Sequence, residues 1–280
     1  TLFNCLSRLY QYQAGDLLFD GQSITQTPVH AMSKIGIGRT FQNLAMFRTM
    51  TVRQNVMVGA HARSAGGFIG TMLKTPAVRA EEKQLVEDAD ALLSYLKLAE
   101  FADRAVGDLS FGTQKRVEFA RALASKPKML LLDEPAAGLN HTELGDLANF
   151  IRTVRDDMGI TVLLVEHHMS LVMEVSDWIV VLNFGKKIAE GTPRDLISQH
   201  LEPDVVEVYG QDALALVNSP LVELAQRTET SGETVFFYTI DATPLLHALN
   251  TYPGLRTLHR PANLEDLFLK MTGRQIREGA

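Results

Sequence analysis

Asp133 and Glu134 close an apolar run, Met129-Leu130-Leu131-Leu132, and two adjacent carboxylates at the end of such a run are suited to metal-assisted hydrolysis. A buried parallel strand delivers paired acids rigidly to one point. One acid can hold a divalent cation and the next can orient an attacking water. An acid pair that merely caps the following turn has the same local pattern, so the segment upstream matters. There, Leu109-Ser110-Phe111-Gly112-Thr113-Gln114 sets a hydroxyl and a glycine ahead of a helical run from Lys115 to Ala124. Its hydroxyl and backbone N–H groups can face an anion at a helix N-terminus.

Two further segments carry polar groups that could serve the same chemistry. Val165-Glu166-His167-His168 follows the apolar stretch Thr161 to Leu164. Paired histidines suggest a metal, but neighbours in an extended chain are expected to point opposite ways, and no Cys or His stands nearby at ligand spacing. Phe41-Gln42 is uninformative alone; a surface glutamine is the plain reading. A phosphate cradle would need G-x-x-x-x-G-K-[ST], and the 280 residues hold none. Gly36-Ile37-Gly38-Arg39-Thr40 imitates it but runs directly into Phe41-Gln42. Gly185-Lys186-Lys187 sits in a hairpin-like turn and lacks both the first glycine and the hydroxyl.

The elements that must position these groups alternate along the chain. A helix is expected over Thr1 to Tyr10, a strand over Asp16 to Asp20 with a turn at Asp20-Gly21, and a short helix over Val29 to Ser33. Leu44 to Leu109 reads as mostly helical, with helical apolar spacing in Val86 to Phe101 and a break at Ser64 to Gly70. Strands are expected at Met129 to Asp133, Thr161 to Glu166 and Ile179 to Asn183, with a helix over Glu143 to Met158. That alternation implies a parallel sheet. From Val205 the order becomes strand (205–209), helix (212–218), strand (222–228), turn at Ser231-Gly232, strand (234–240), helix (243–252), strand (255–259) and a last helix from Leu264 capped by Asn263. This βαββαβ order predicts a small ferredoxin-like domain.

Composition excludes several classes. The chain carries 27 basic and 33 acidic residues, a net charge of −6, which argues against a surface that coats nucleic acid. Its single cysteine, Cys5, forbids an internal disulfide and fits a reducing compartment. No apolar stretch reaches the roughly 18 residues of a membrane span, and Thr1 to Gln13 lacks the pattern of a signal peptide. A soluble chain that reaches a membrane through a partner is the expectation.

The segment from Leu109 to Asn140 resembles the signature loop and Walker B strand of ABC-type ATPases, and the resemblance extends over residues 1–198. It implies a P-loop NTPase-like α/β cassette with a parallel sheet core and a helical subdomain over about 43–115, followed by the small α+β domain over 199–280. It implies ATP and Mg²⁺ as cofactors. Asp133 would hold the metal and Glu134 would act as the catalytic acid. Gln42 would be the Q-loop glutamine that touches metal and water, and His167 the switch histidine on the γ-phosphate. Ser110, Gly112 and Thr113 would bind the γ-phosphate of a nucleotide held by the opposite subunit. Thr113 replaces the usual Gln, which removes an amide placed near the ribose. Ala137-Gly138-Leu139-Asn140 matches the D-loop, and Thr1 matches the cofactor-binding threonine after the P-loop lysine.

Thr1 is therefore expected to be the first residue retained after a truncation. Because losing one preorganised oxyanion donor costs about 3 kcal/mol, the 280 residues alone are expected to hydrolyse ATP poorly. Within the family, GRTFQNLAMFRTMTVRQNVMVGAH resembles the ATP-binding subunits of branched-chain amino-acid importers, whereas DVVEVYG and HRPANLEDLFLKMTGR resemble the C-terminal domain of nodulation-factor exporter ATPases. The resemblance implies transmembrane permease partners, a homodimer or a heterodimer with a paralogous ATPase, no nucleic acid, and a peripheral place on the cytoplasmic face of the bacterial inner membrane. Branched-chain amino-acid uptake is the leading expectation. An exporter of the nodulation-factor type, and a catalytically silent partner that lends its signature loop, are the alternatives.

Overall fold

The all-apolar run Met129 to Leu132 forms the middle strand of a parallel sheet, the one place where such a run can bury both faces. The computed structural model describes residues 2–40, 45–61, 76–210, 212–252 and 254–272. Thr1, Gln42 and the expected break at Ser64 to Gly70 lie outside them. The chain divides into two compact units, residues 1–171 and 172–280.

The first unit begins with a short helix, α1 (Leu2–Leu6), which ends where Arg8 turns left-handed, so the helix expected to reach Tyr10 is cut short. A small hairpin, β1 (Leu18–Phe19) with β2 (Gln22–Ser23), turns at Asp20 and Gly21, both at positive φ. That is the primed turn favoured by strand twist. The core sheet has the parallel order β3-β4-β5, from β3 (Ile37–Arg39), β4 (Met129–Asp133) and β5 (Thr161–Val165). The register sets Ile37 against Met129 and Asp133 against Val165. Leu130, Leu131 and Leu132 are fully buried, and Phe3, Ile24, Met32 and Ile37 close over Leu131.

Between β3 and β4 lie three helices, α2 (Val52–Ala60), α3 (Pro76–Tyr95) and α4 (Phe111–Leu123). Thr51 and Gln54 form a reciprocal capping box on α2. A Cβ on Gly59 would fall 1.9 Å from the Arg121 carbonyl oxygen, so α2 and α4 touch backbone to backbone there. After β4 come α5 (His141–Asp156) and, beyond β5, α6 (Met169–Val175).

In the second unit, β6 (Ile179–Asn183) does not join a parallel sheet as expected. It pairs antiparallel with β7 (Lys186–Gly191) through a turn in which Phe184 and Gly185 both have positive φ. α7 (Pro193–His200) follows, capped by Thr192. The rest is an antiparallel sheet of order β11-β8-β10-β9, from β8 (Asp204–Tyr209), β9 (Arg227–Ser231), β10 (Thr234–Thr239) and β11 (Arg256–Pro261). This is the ferredoxin-like strand order, with α8 (Thr243–Leu249) and α9 (Leu264–Thr272) as its helices.

The expected first helix of that domain is instead two 3-10 turns, Ala213–Asn218 and Pro220–Leu224. Ser219 caps the second turn and Pro220 starts it. Val222, expected in a strand, therefore lies in the turn, and β9 begins five residues later. One sheet face and these turns enclose Val206, Val208, Val235, Phe237 and Leu245.

The opposite sheet face carries a buried polar network against α9. Asp266, 1% exposed, accepts two hydrogen bonds from Arg260 at 2.7 and 3.0 Å and one from the Tyr238 hydroxyl at 3.1 Å. Burial, followed by the Asp266 and Glu229 carboxylates, holds the Tyr238 hydroxyl well above the ordinary tyrosine range. Unfolded tyrosine ionises near pH 10, so the unfolded state gives up this proton first. The contribution of Tyr238 to stability is full below about pH 10 and is lost as pH rises beyond it. An ultraviolet phenolate titration should therefore show one of the six tyrosines ionising late and together with unfolding. Six tyrosines titrating together near pH 10 in a folded protein would contradict this.

Candidate functional site

β4 carries Asp133 to its end, opposite Val165 of β5, and the chain then turns sharply. Glu134 takes a left-handed conformation, φ 47°, which is costly for a residue with a Cβ, and donates its N–H to the Val165 carbonyl at 2.9 Å. The register thus brings Asp133, Glu134 and the Glu166-His167 segment to neighbouring strand ends. Asp133 does not stand free. Arg39, at the end of β3, donates to its Oδ2 at 3.1 Å and also to Ser7 Oγ at 2.8 Å, Asn4 Oδ1 at 2.9 Å and the Phe3 carbonyl at 3.2 Å. One guanidinium therefore ties α1, β3 and β4 together, and it is the cation that the Asp133 carboxylate meets in this structure.

His167 and His168 lie side by side with ring centroids 4.7 Å apart, tilted by 33°. This corrects the expectation that they point opposite ways: β5 ends at Val165, so the histidines are not in extended chain. Ligand atoms of Glu166, His167 and His168 fall within 4.8 Å of one another. Both Glu166 oxygens, however, already accept backbone N–H groups, from Ala136 at 2.7 Å, His167 at 2.8 Å and His168 at 3.1 Å. Sequence reasoning passed over Glu166 as the last residue of a strand.

The loop with Ser110 lies elsewhere in the unit. Ser110 is the N-cap of α4, its Oγ accepting the Thr113 N–H at 3.3 Å and lying 2.9 Å from Thr113 Oγ1. The helix therefore starts at Phe111, earlier than expected, and puts Gly112 and Thr113 in its first turn, where N–H groups lack intrahelical partners. A Cβ on Gly112 would sit 2.1 Å from Glu143 Oε1, so only glycine fits. Glu143 is held in place by a capping box with Asn140: Asn140 Oδ1 accepts the Glu143 N–H and Glu143 Oε2 accepts the Asn140 N–H, both at 3.0 Å. The N-x-x-E spacing was a visible signal for this box.

Ser110, Gly112 and Thr113 line a cavity of about 150 Å³ with Leu139, Glu143 and Asp146. Asp133, Glu134 and His167 are not among its lining residues. The structure brings Asp133, Glu134 and His167 together and keeps Ser110, Gly112 and Thr113 as a separate group; Gln42 and Thr1 fall outside the described residues. In chemical terms the first group is an oxygen-rich end suited to a hard cation such as Mg²⁺. The second is a capped helix start suited to a phosphate.

A family described as ABC transporter matches residues 1–137, and one described as the C-terminal domain of the nodulation factor export protein NodI matches residues 212–273. The chain is 43% identical over 209 residues to the high-affinity branched-chain amino acid transport ATP-binding protein BraF of Pseudomonas aeruginosa, covering 75% of this chain and 81% of that one. It is 36% identical over 278 residues to the Nod factor export ATP-binding protein I of Burkholderia orbicola, covering 99% of this chain and 85% of that one. Among solved structures, the ADP conformation of MJ1267, an ATP-binding cassette of an ABC transporter, superposes with a TM-score of 0.60 at 32% identity, covering 71% of this chain and 77% of that one.

Proposed function

Since the chain belongs to the ABC transporter ATP-binding family, we propose that its two site groups serve two different nucleotides. The carrying observation is the end of β4, where Asp133 and the left-handed Glu134 meet the Glu166-His167 segment across one register step. Asp133 holds the Mg²⁺ of the nucleotide, Glu134 orients the attacking water, and His167 hydrogen-bonds the γ-phosphate, with Gln42 and Thr1 completing that shell. Bound Mg²⁺ neutralises charge on the phosphate oxygens. Ser110, Gly112 and Thr113 serve the γ-phosphate of a nucleotide held by the second subunit of a homodimer or of a heterodimer with a paralogous ATPase. Their separation from the acids supports this reading.

The functional division runs at 198/199, with the cassette ahead of it and the ferredoxin-like unit as accessory domain. Transmembrane permease subunits dock on the helical subdomain. There a groove of about 370 Å³ lined by Val56, Ala89, Leu92 and Leu123 carries the Asp88–Lys126 ion pair. Among the described residues no helix is long and apolar enough to cross a membrane, which supports a peripheral place on the cytoplasmic face of the bacterial inner membrane. The likeness to BraF favours branched-chain amino-acid uptake. The match of residues 212–273 keeps an exporter of the nodulation-factor type as the second reading.

Light scattering tests the pairing. Mixed with a family member that carries its own G-x-x-x-x-G-K-[ST] loop, the chain should form a complex that depends on MgATP. No nucleotide-dependent complex with such relatives, or with itself, would overturn the proposal.

A further inference from the structure

Glu166 is the strongest polar anchor beside the acid pair, and the reaction outlined above gives it no part. Its side chain is fully buried. Oε1 accepts the Ala136 N–H at 2.7 Å, and Oε2 accepts the N–H groups of His167 at 2.8 Å and His168 at 3.1 Å. Only a carboxylate offers two charged oxygens that can take three backbone donors from opposite sides. Bonds of this kind are among the strong ones.

The geometry of the turn gives these bonds a purpose. Glu134 sits at positive φ, and the turn that carries it is fastened at two points: the Glu134 N–H to the Val165 carbonyl, and the Ala136 N–H to Glu166. The second fastening shares its carboxylate with the backbone of His167. We infer that Glu166 is a positioning residue that locks the turn after Glu134 to the backbone of His167, so that the two groups hold or shift as one unit. The inference rests on the roles given above to Glu134 and His167. It adds the part that sets their mutual geometry.

Amide hydrogen exchange and His167 ring signals, read by NMR on the chain without nucleotide or partner, test it. In the unaltered protein the amides of Ala136, His167 and His168 should be protected. In Glu166→Gln the amide oxygen replaces only one acceptor and the NH₂ faces backbone donors. Exchange at the three amides should then rise at least about tenfold, the loss expected when a hydrogen bond to a charged group goes. The His167 ring signal should shift, while Leu131 and Leu163 inside β4 and β5 keep their exchange rates.

Unchanged amides in Glu166→Gln, or equal acceleration at Leu131 and Leu163, would overturn the inference. So would free exchange of the Ala136 amide in the unaltered protein, a result that needs no variant to fold. None of these readings involves ATP or a permease, so the transport proposal can fail while this one stands.

Discussion

Asp266→Ala is expected to destabilise the ferredoxin-like unit by about 3–5 kcal/mol, the cost of removing one partner from a buried ion pair. Against a typical domain stability of about 5–15 kcal/mol that is a large share. The Asp266 carboxylate accepts two bonds from Arg260, one from Tyr238 and one from the N–H of Asn263 at 2.9 Å. Its removal leaves Tyr238, fully buried, without that acceptor. It also leaves Arg260 with Glu207 as its remaining carboxylate contact. The reciprocal box in which Asn263 Oδ1 accepts the Asp266 N–H at 3.1 Å loses its other half, loosening the start of α9. Asp266→Asn preserves the shape and one acceptor, so it should cost less than Asp266→Ala. Guanidinium denaturation of the full chain followed by circular dichroism measures both. A loss below about 1 kcal/mol in Asp266→Ala would show the network to be peripheral to stability, since that is the scale of exposed pairs.

None of this network is visible in the linear chain. Glu207, Arg227, Arg260 and Asp266 read one by one as surface charges, and only the register of β8, β10 and β11 brings them under α9. The strand order of the same unit was legible, because alternating apolar residues and the Ser231-Gly232 turn fix it locally. The shift of β9 was not, although Ser219-Pro220 gave a local signal for a capped turn. In the cassette, β4 and its closing acids could be read directly, since a run of Leu ending in Asp-Glu has few other homes. Arg39 could not be paired with Asp133, 94 residues away, from local pattern. Glu166 was concealed by its place at the end of a β-branched and leucine run, where an acid looks exposed. Residues that work through distant backbone partners leave little local trace, whereas helix caps and strand ends do.

The second large effect concerns Ser110. Its hydroxyl caps α4, so Ser110→Ala costs the helix about 1 kcal/mol. That loss is small beside the functional one if the first turn of α4 receives a phosphate. Removing one preorganised donor from a developing charge typically lowers the rate by about 100-fold or more. The effect should appear on nucleotide held by the partner, because Ser110, Gly112 and Thr113 gather in a cavity that Asp133, Glu134 and His167 do not line.

The most direct test is ATP turnover by the chain mixed with a family member that carries its own G-x-x-x-x-G-K-[ST] loop. Mixing should raise turnover above the sum of the separate proteins. Ser110→Ala in this chain should remove the increase by about 100-fold, while Ser94→Ala, on the exposed face of α3, should leave it intact. If mixing gives no increase, or an increase that Ser110→Ala does not reduce, the two groups do not serve two nucleotides and the division of labour between β4 and α4 is wrong.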